Sequence, residues 1–178
     1  MKKQLPAWAA LAIIALIAGL LLGLTNELTA KRIDEQTLLA ADAARKGVLR
    51  AAQAFVEETV TPGASVTSCY RGEANGAVVG YTAQVIVKGY GGDIEVTVGV
   101  DQTKAITGIN VGGSSFAETA GLGAKTKEDA FTGQYAGKGV PVVLNKDVDA
   151  VSAATISSRA VNDGVNEAAS YIISQFLS

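Results

Sequence analysis

"DIEVTVGVD", Asp93–Asp101, decides the fold. Ile94, Val96, Val98 and Val100 fall on one side of an extended chain, with Glu95 and Thr97 on the other. That period of two is the signature of a half-buried strand. Upstream, "AVVGYTAQVIVKG", Ala77–Gly89, reads as a second strand. Downstream, after the short turn Asp101–Gln102–Thr103, "KAITGINVG" reads as a third. Strands joined this tightly pair as an antiparallel hairpin. A helix-like segment follows Gly121–Gly123, and "VPVVLN", Val140–Asn145, reads as a short fourth strand. From Ser152 the period lengthens to that of a helix. Val161, Val165, Ala168, Ala169, Ile172 and Phe176 share one face, with Asn162, Asp163 and Glu167 outside. The expected class is α+β, an antiparallel sheet packed by helices.

The N-terminal part has a different character. Leu5–Leu24, "LPAWAALAIIALIAGLLLGL", carries no charge and has the length needed to cross a bilayer. A cleaved signal peptide has a shorter apolar core, about 7–15 residues, and the one cleavage-like site is "LTA" at Leu28–Ala30. The reading adopted is a retained transmembrane helix. Lys2 and Lys3 precede it and Lys31 and Arg32 follow, so the positive charges nearly balance. The short tail is the easier end to leave in the cytoplasm. Trp8 suits the interface, and Gly19 and Gly23 form a GxxxG that is either a helix-contact face or ordinary small-residue content. From Asn26 to about Glu58 the chain reads as one or two helices, with Ile33, Leu38, Leu39, Ala43, Val48, Leu49, Ala52 and Phe55 along one face. "TPGAS", Thr61–Ser65, breaks it. The expected division is 1–25 for tail and span, 26–60 for a helical connector and 61–178 for an extracytoplasmic domain.

Composition removes much catalytic chemistry. The 178 residues carry a formal net charge of −2, no histidine and one cysteine, Cys69. A histidine-based triad, a histidine metal site, a multi-cysteine cluster and an intrachain disulfide are therefore impossible within this chain. No basic stripe points to nucleic acid. Cys69 reads as a small buried residue.

Three stretches remain. "DAVSAATISSRAV", Asp149–Val161, puts small and hydroxyl residues at the mouth of the last helix. The unpaired N–H groups and positive dipole end there suit a phosphate, and Ala153 and Ala154 leave it room. Equally, Ser152 and Thr155 are ordinary helix caps, with Ser157 adding a further hydroxyl. "FAETAGLGAK", Phe116–Lys125, contains Gly121 and Gly123 around Leu122, beside Glu118 and Thr119. It is either a plain loop or a place where backbone approaches a flat ligand. In "KGYGGDIEV", Tyr90 between glycines is either a ligand platform or a bulge residue.

Taken in order, GYGG, E-T-x-G-L-G and the small-residue run ending in A-T-x-S-S resemble the FMN-binding domain of the G subunit of Rnf electron-transport complexes. The C subunit of Na+-translocating NADH:quinone reductase is related. The resemblance covers about Gly76 to the C-terminus, and the single N-terminal span fits it. Chain length favours the Rnf member. The resemblance implies FMN held covalently by a phosphoester to Thr155, installed from FAD by a separate flavin transferase. It implies a flavin ring against Glu118, Thr119, Gly121, Leu122 and Gly123, with Tyr90, Ser152, Ala153, Ala154 and Ser157 completing the site. It also implies a membrane-anchored electron carrier, not catalytic alone, working with other membrane subunits of a ferredoxin:NAD+ oxidoreductase coupled to ion translocation. An anchored ligand-binding or structural module without flavin is the alternative from another class. Three positions depart from the family pattern: Ala153 stands for its usual glycine, Ala120 for a frequent proline, and Phe116 for a frequent histidine.

Overall fold

The computed structural model describes residues 6–177. Lys2, Lys3 and Leu5 lie outside them, as does the side chain of Lys31. The chain divides into two compact units, Met1–Ala40 and Ala41–Ser178.

The first unit is made of most of one helix, α1, Ala7–Val48. Within it, Trp8–Ala30 is long and apolar enough to cross a membrane, with a mean hydropathy of 2.4. Its side chains are uncovered, Trp8 and Leu11 through Leu28 included, which suits a lipid environment. Gly19 and Gly23 have no neighbouring atoms within reach of a Cβ.

The second unit is a five-stranded meander in the order β1-β2-β3-β4-β5, every neighbour antiparallel. The strands are β1 Ala54–Glu58, β2 Val66–Ala74, β3 Ala77–Lys88, β4 Asp93–Asp101 and β5 Ile106–Gly112. Short helical turns occupy Gly123–Tyr135, and α3, Thr155–Phe176, closes the chain; α2 is the single turn Asp129–Thr132. The alternation in β4 behaves as read: Ile94, Val96, Val98 and Val100 are fully buried. They pair across to Val87, Val85, Ala83 and Tyr81, and α3 lays Val161, Val165, Ala168, Ala169 and Ile172 on the same face. Each fully buried valine or isoleucine among them contributes about 1.5–3 kcal/mol.

Several expectations fail here. The helical connector stops at Val48, and Ala54–Glu58 is a strand instead of helix. Ile33, Leu38 and Leu39 are exposed, whereas Val48 and Leu49 are buried. Their place is the second face of the sheet, against glycines. A Cβ on Gly99 would strike the Val48 carbonyl and the Thr107 hydroxyl, which itself donates to that carbonyl. Leu49, 1% exposed, fills the space over Gly72 and Gly80. Further along this face Arg45 lies 4.0 Å over the Tyr70 ring. Thr97, on the opposite side of β4 from the valines, is also buried, at 6% exposed, with Ala41, Arg45 and Tyr70 nearby.

Val140–Asn145 is not a strand. It makes one isolated bridge, Leu144 to Val148, because side chains satisfy its backbone instead. The Val142 N–H donates to Asn166 Oδ1 (2.7 Å), and the Val142 carbonyl accepts from Asn162 and Asn166 (3.1 and 2.8 Å). Asn162, expected outside, is therefore 5% exposed. Cys69 is buried in the core, and burial pushes its thiol up to about 12, with Glu58 adding to the effect. It stays protonated and inert at neutral pH.

Leu49→Ala removes the wedge and leaves a cavity over Gly72 and Gly80, with an expected loss of about 2–5 kcal/mol. Urea unfolding of the detergent-solubilised chain reads it; an unchanged midpoint would deny the wedge.

Candidate functional site

The site is built where three separated segments meet. The first is the turn between β3 and β4, where the Gly89 N–H bonds the Gly92 carbonyl at 2.8 Å and leaves Tyr90 72% exposed. The second is the loop after β5. The third is the approach to α3. Glu118 ties all three: Oε1 accepts from the Gly91 N–H at 3.0 Å, and Oε2 accepts from the Ser157 hydroxyl at 2.7 Å. A Cβ on Gly89 or Gly123 would collide with a Glu118 oxygen, so a side chain there would push the carboxylate out of its hydrogen bonds.

A cavity of about 540 Å³ opens beside it, within the ordinary range for a bound small molecule. It is lined by Tyr90, Glu118, Thr119, Leu122 and Gly123, and on the α3 side by Ala153 through Ser157. Nine residues anticipated from the sequence thus share one wall. Gly121 and Ser152 do not line it. Gly121 takes a left-handed turn (φ 77°) that bends the loop. Ile156, 58% exposed, lines the cavity and was missed. The available signal was that an isoleucine at this position falls off the buried Val161–Val165–Ile172 stripe.

The capping reading fails. Ala154 is the N-cap residue of α3, and no side chain caps the helix. The first-turn N–H groups therefore have no side-chain acceptor, the condition under which an anion gains most from them. Thr155 is exposed at the first helical position. The loop before it is shaped by Ser158, whose hydroxyl accepts from the Val151 N–H (3.0 Å) and donates to the Ala154 carbonyl (2.9 Å). Ala153 adopts φ 61°, a left-handed conformation costing about 1–2 kcal/mol outside glycine. Phe116, where a histidine is frequent in the resemblance, holds the Lys127 ammonium 3.8 Å above its ring.

Comparison with known proteins places the chain in a family. The FMN-binding domain family matches residues 89–170. The chain is 34% identical, over 86% of its length and 84% of the relative's, to the G subunit of the Na+-translocating ferredoxin:NAD+ oxidoreductase complex of Acetobacterium woodii. It is 33% identical, over 92% and 91%, to the G subunit of the ion-translocating oxidoreductase complex of Methanosarcina acetivorans. This chain belongs to the family of G subunits of ion-translocating oxidoreductase complexes. The fold is shared more widely. The C subunit of the Na+-translocating NADH-quinone reductase from Parabacteroides distasonis superposes with a TM-score of 0.53 at 24% identity, over 62% of each chain. Shewanella oneidensis NqrC gives 0.52 at 19%, over 71% of each. For a member of this family the residues present fit an FMN. At about 540 Å³ the cavity has room for an aromatic ring system, and the uncapped helix N-terminus offers N–H donors of the kind a phosphate accepts from.

Glu118→Ala releases the Gly91 N–H and the Ser157 hydroxyl together, with an expected cost of about 1–3 kcal/mol for a charge-assisted pair. Glu118→Gln keeps an acceptor for the Gly91 N–H and turns an amide N–H toward Ser157, whose hydroxyl then accepts instead of donating, and should lose less than half of that. Thermal unfolding compares them; equal losses would mean the carboxylate is not the tie.

Proposed function

We propose that this chain is a membrane-anchored electron carrier, the G subunit of an Rnf-type ferredoxin:NAD+ oxidoreductase complex that couples electron transfer to ion translocation. FMN is attached by a phosphoester to Thr155. The observation that carries the reading is the meeting of all three sequence motifs around one cavity with Thr155 on its rim.

FMN, when bound, accepts and passes electrons one or two at a time. The chain supplies position. Tyr90, Leu122 and Ile156 offer apolar surface to the ring, and Thr119 offers a hydroxyl. Glu118 keeps the Tyr90 turn and α3 at a constant separation. Thr155 is exposed, as an external flavin transferase requires of its target. In that step a bond forms between Thr155 Oγ and the FMN phosphorus. The pyrophosphate bond of FAD breaks, AMP leaves, and the hydroxyl proton passes to the transferase. The product is a singly charged phosphodiester at the positive end of α3. With no histidine and one buried cysteine, this chain cannot hold an iron–sulfur cluster, so other membrane subunits provide such centres. The N-terminal tail lies in the cytoplasm and the FMN domain on the opposite side, where covalent attachment prevents loss of the cofactor.

Thr155→Ala, co-expressed with a flavin transferase, should lose all flavin fluorescence that survives denaturing electrophoresis. Since Thr155 makes no capping bond, stability should change by less than about 0.5 kcal/mol. Thr155→Ser should keep part of the label. Full labelling of Thr155→Ala would overturn the assignment.

A further inference from the structure

A second cavity, of about 280 Å³, lies on the far side of Thr155 and is lined by Lys88, Thr155, Ile156, Arg159, Ala160 and Asp163. Thr155 and Ile156 belong to both cavities and form the ridge between them. The two differ in charge. The larger has no cationic side chain in its lining and one carboxylate, Glu118. The smaller has two cations, Lys88 and Arg159, against one carboxylate, Asp163.

We infer that the smaller cavity is the phosphate pocket of the site, with Arg159 as the residue that positions the phosphodiester on Thr155. The inference rests on the covalent-FMN reading and extends it to two cations, Lys88 and Arg159, that were given no role in the site. A phosphodiester on Thr155 Oγ keeps two unesterified oxygens and one negative charge. Oriented toward the larger cavity, those oxygens would meet the Glu118 carboxylate. Oriented toward the smaller, they meet two cations and leave the larger cavity to the uncharged ring.

Arg159 is the better placed of the two cations. It lies four residues after Thr155 in α3, so the two side chains share a helix face, and a helical side chain leans back toward the N-terminus. A guanidinium presents paired donors that match phosphate oxygens. Among the described residues Arg159 makes no ion pair, whereas Lys88 is held by Asp93 at 2.5 Å. Asp163 lies one further turn along α3, on the side of Arg159 away from Thr155. Lys88 therefore serves as a background charge and Arg159 as the ligand.

The test uses the full chain, loaded by co-expression with a flavin transferase and purified in detergent. Intact mass and peptide mapping are read first, then the 31P resonance of loaded wild type, Arg159→Gln, Arg159→Lys and Lys88→Gln. In Arg159→Gln the resonance is expected to narrow and to move at least halfway toward that of the flavin peptide released by proteolysis. Arg159→Lys should recover part of the shift, Lys88→Gln should give a smaller one, and the far-ultraviolet melt should be unchanged. Superimposed resonances in wild type and Arg159→Gln, both fully loaded, would overturn the phosphate pocket and leave the carrier reading standing. So would a shift that Arg159→Lys does not reduce, since that marks a structural role. A wild-type chain that gains no FMN mass, with the transferase active on a control, would overturn both.

Discussion

The Glu118 carboxylate accepts the Gly91 N–H on one oxygen and the Ser157 hydroxyl on the other. Its partners lie 27 and 39 residues away in sequence, one in the Tyr90 turn and one in the first turn of α3. Glycines at 89 and 123 crowd against the same carboxylate with no room for a side chain. The distance between the Tyr90 turn and the first turn of α3 is thus set by one group. A cleft made only of loops would be loose. This one is stiffened by a charged hydrogen bond on each side.

α3 joins stability to function. Its inner stripe, Val161 to Ile172, completes the core on the valine face of β3 and β4. Its Asn162 and Asn166 hold the Val142 backbone in place of a strand partner. Its first turn has no side-chain cap, so its N–H groups are open to an outside acceptor. The same helix therefore buries its middle and offers its end, and movement of that end is resisted by the core. Leaving the end uncapped forgoes about 1 kcal/mol of helix stability, and Ala153 in a left-handed conformation adds strain beside it. Such local costs concentrate where backbone must approach a ligand closely.

Legibility in the sequence followed the strength of local pattern. β3, β4, β5 and α3 were readable because one buried face imposes a period of two or 3.6. β1 was not, since "AFVEE" continues a helical composition without a break. β2 was hidden because register shifts between Val66 and Ser68 and between Gly72 and Glu73 destroy its alternation. "VPVVLN" misled in the opposite sense: it has strand composition, but asparagine side chains from α3 take its hydrogen bonds. At the site, the motifs were legible as motifs, and their convergence was not. Glu118 read as a ligand contact, yet both its oxygens are engaged by the protein. Thr155 and Ser152 read as caps, yet neither caps. Arg159 carried no local signal, because its place in the lining of a second cavity comes from the fold, and the one sign of Ile156 was its position off the buried stripe of α3.

The most direct measurement is a crystal structure of the chain loaded with FMN. The expected result is continuous density from Thr155 Oγ through the phosphorus, with the ring in the larger cavity in contact with Tyr90, Leu122 and Ile156. Density attached to another side chain, or a ring lying outside that cavity with the cavity still open, would contradict the account.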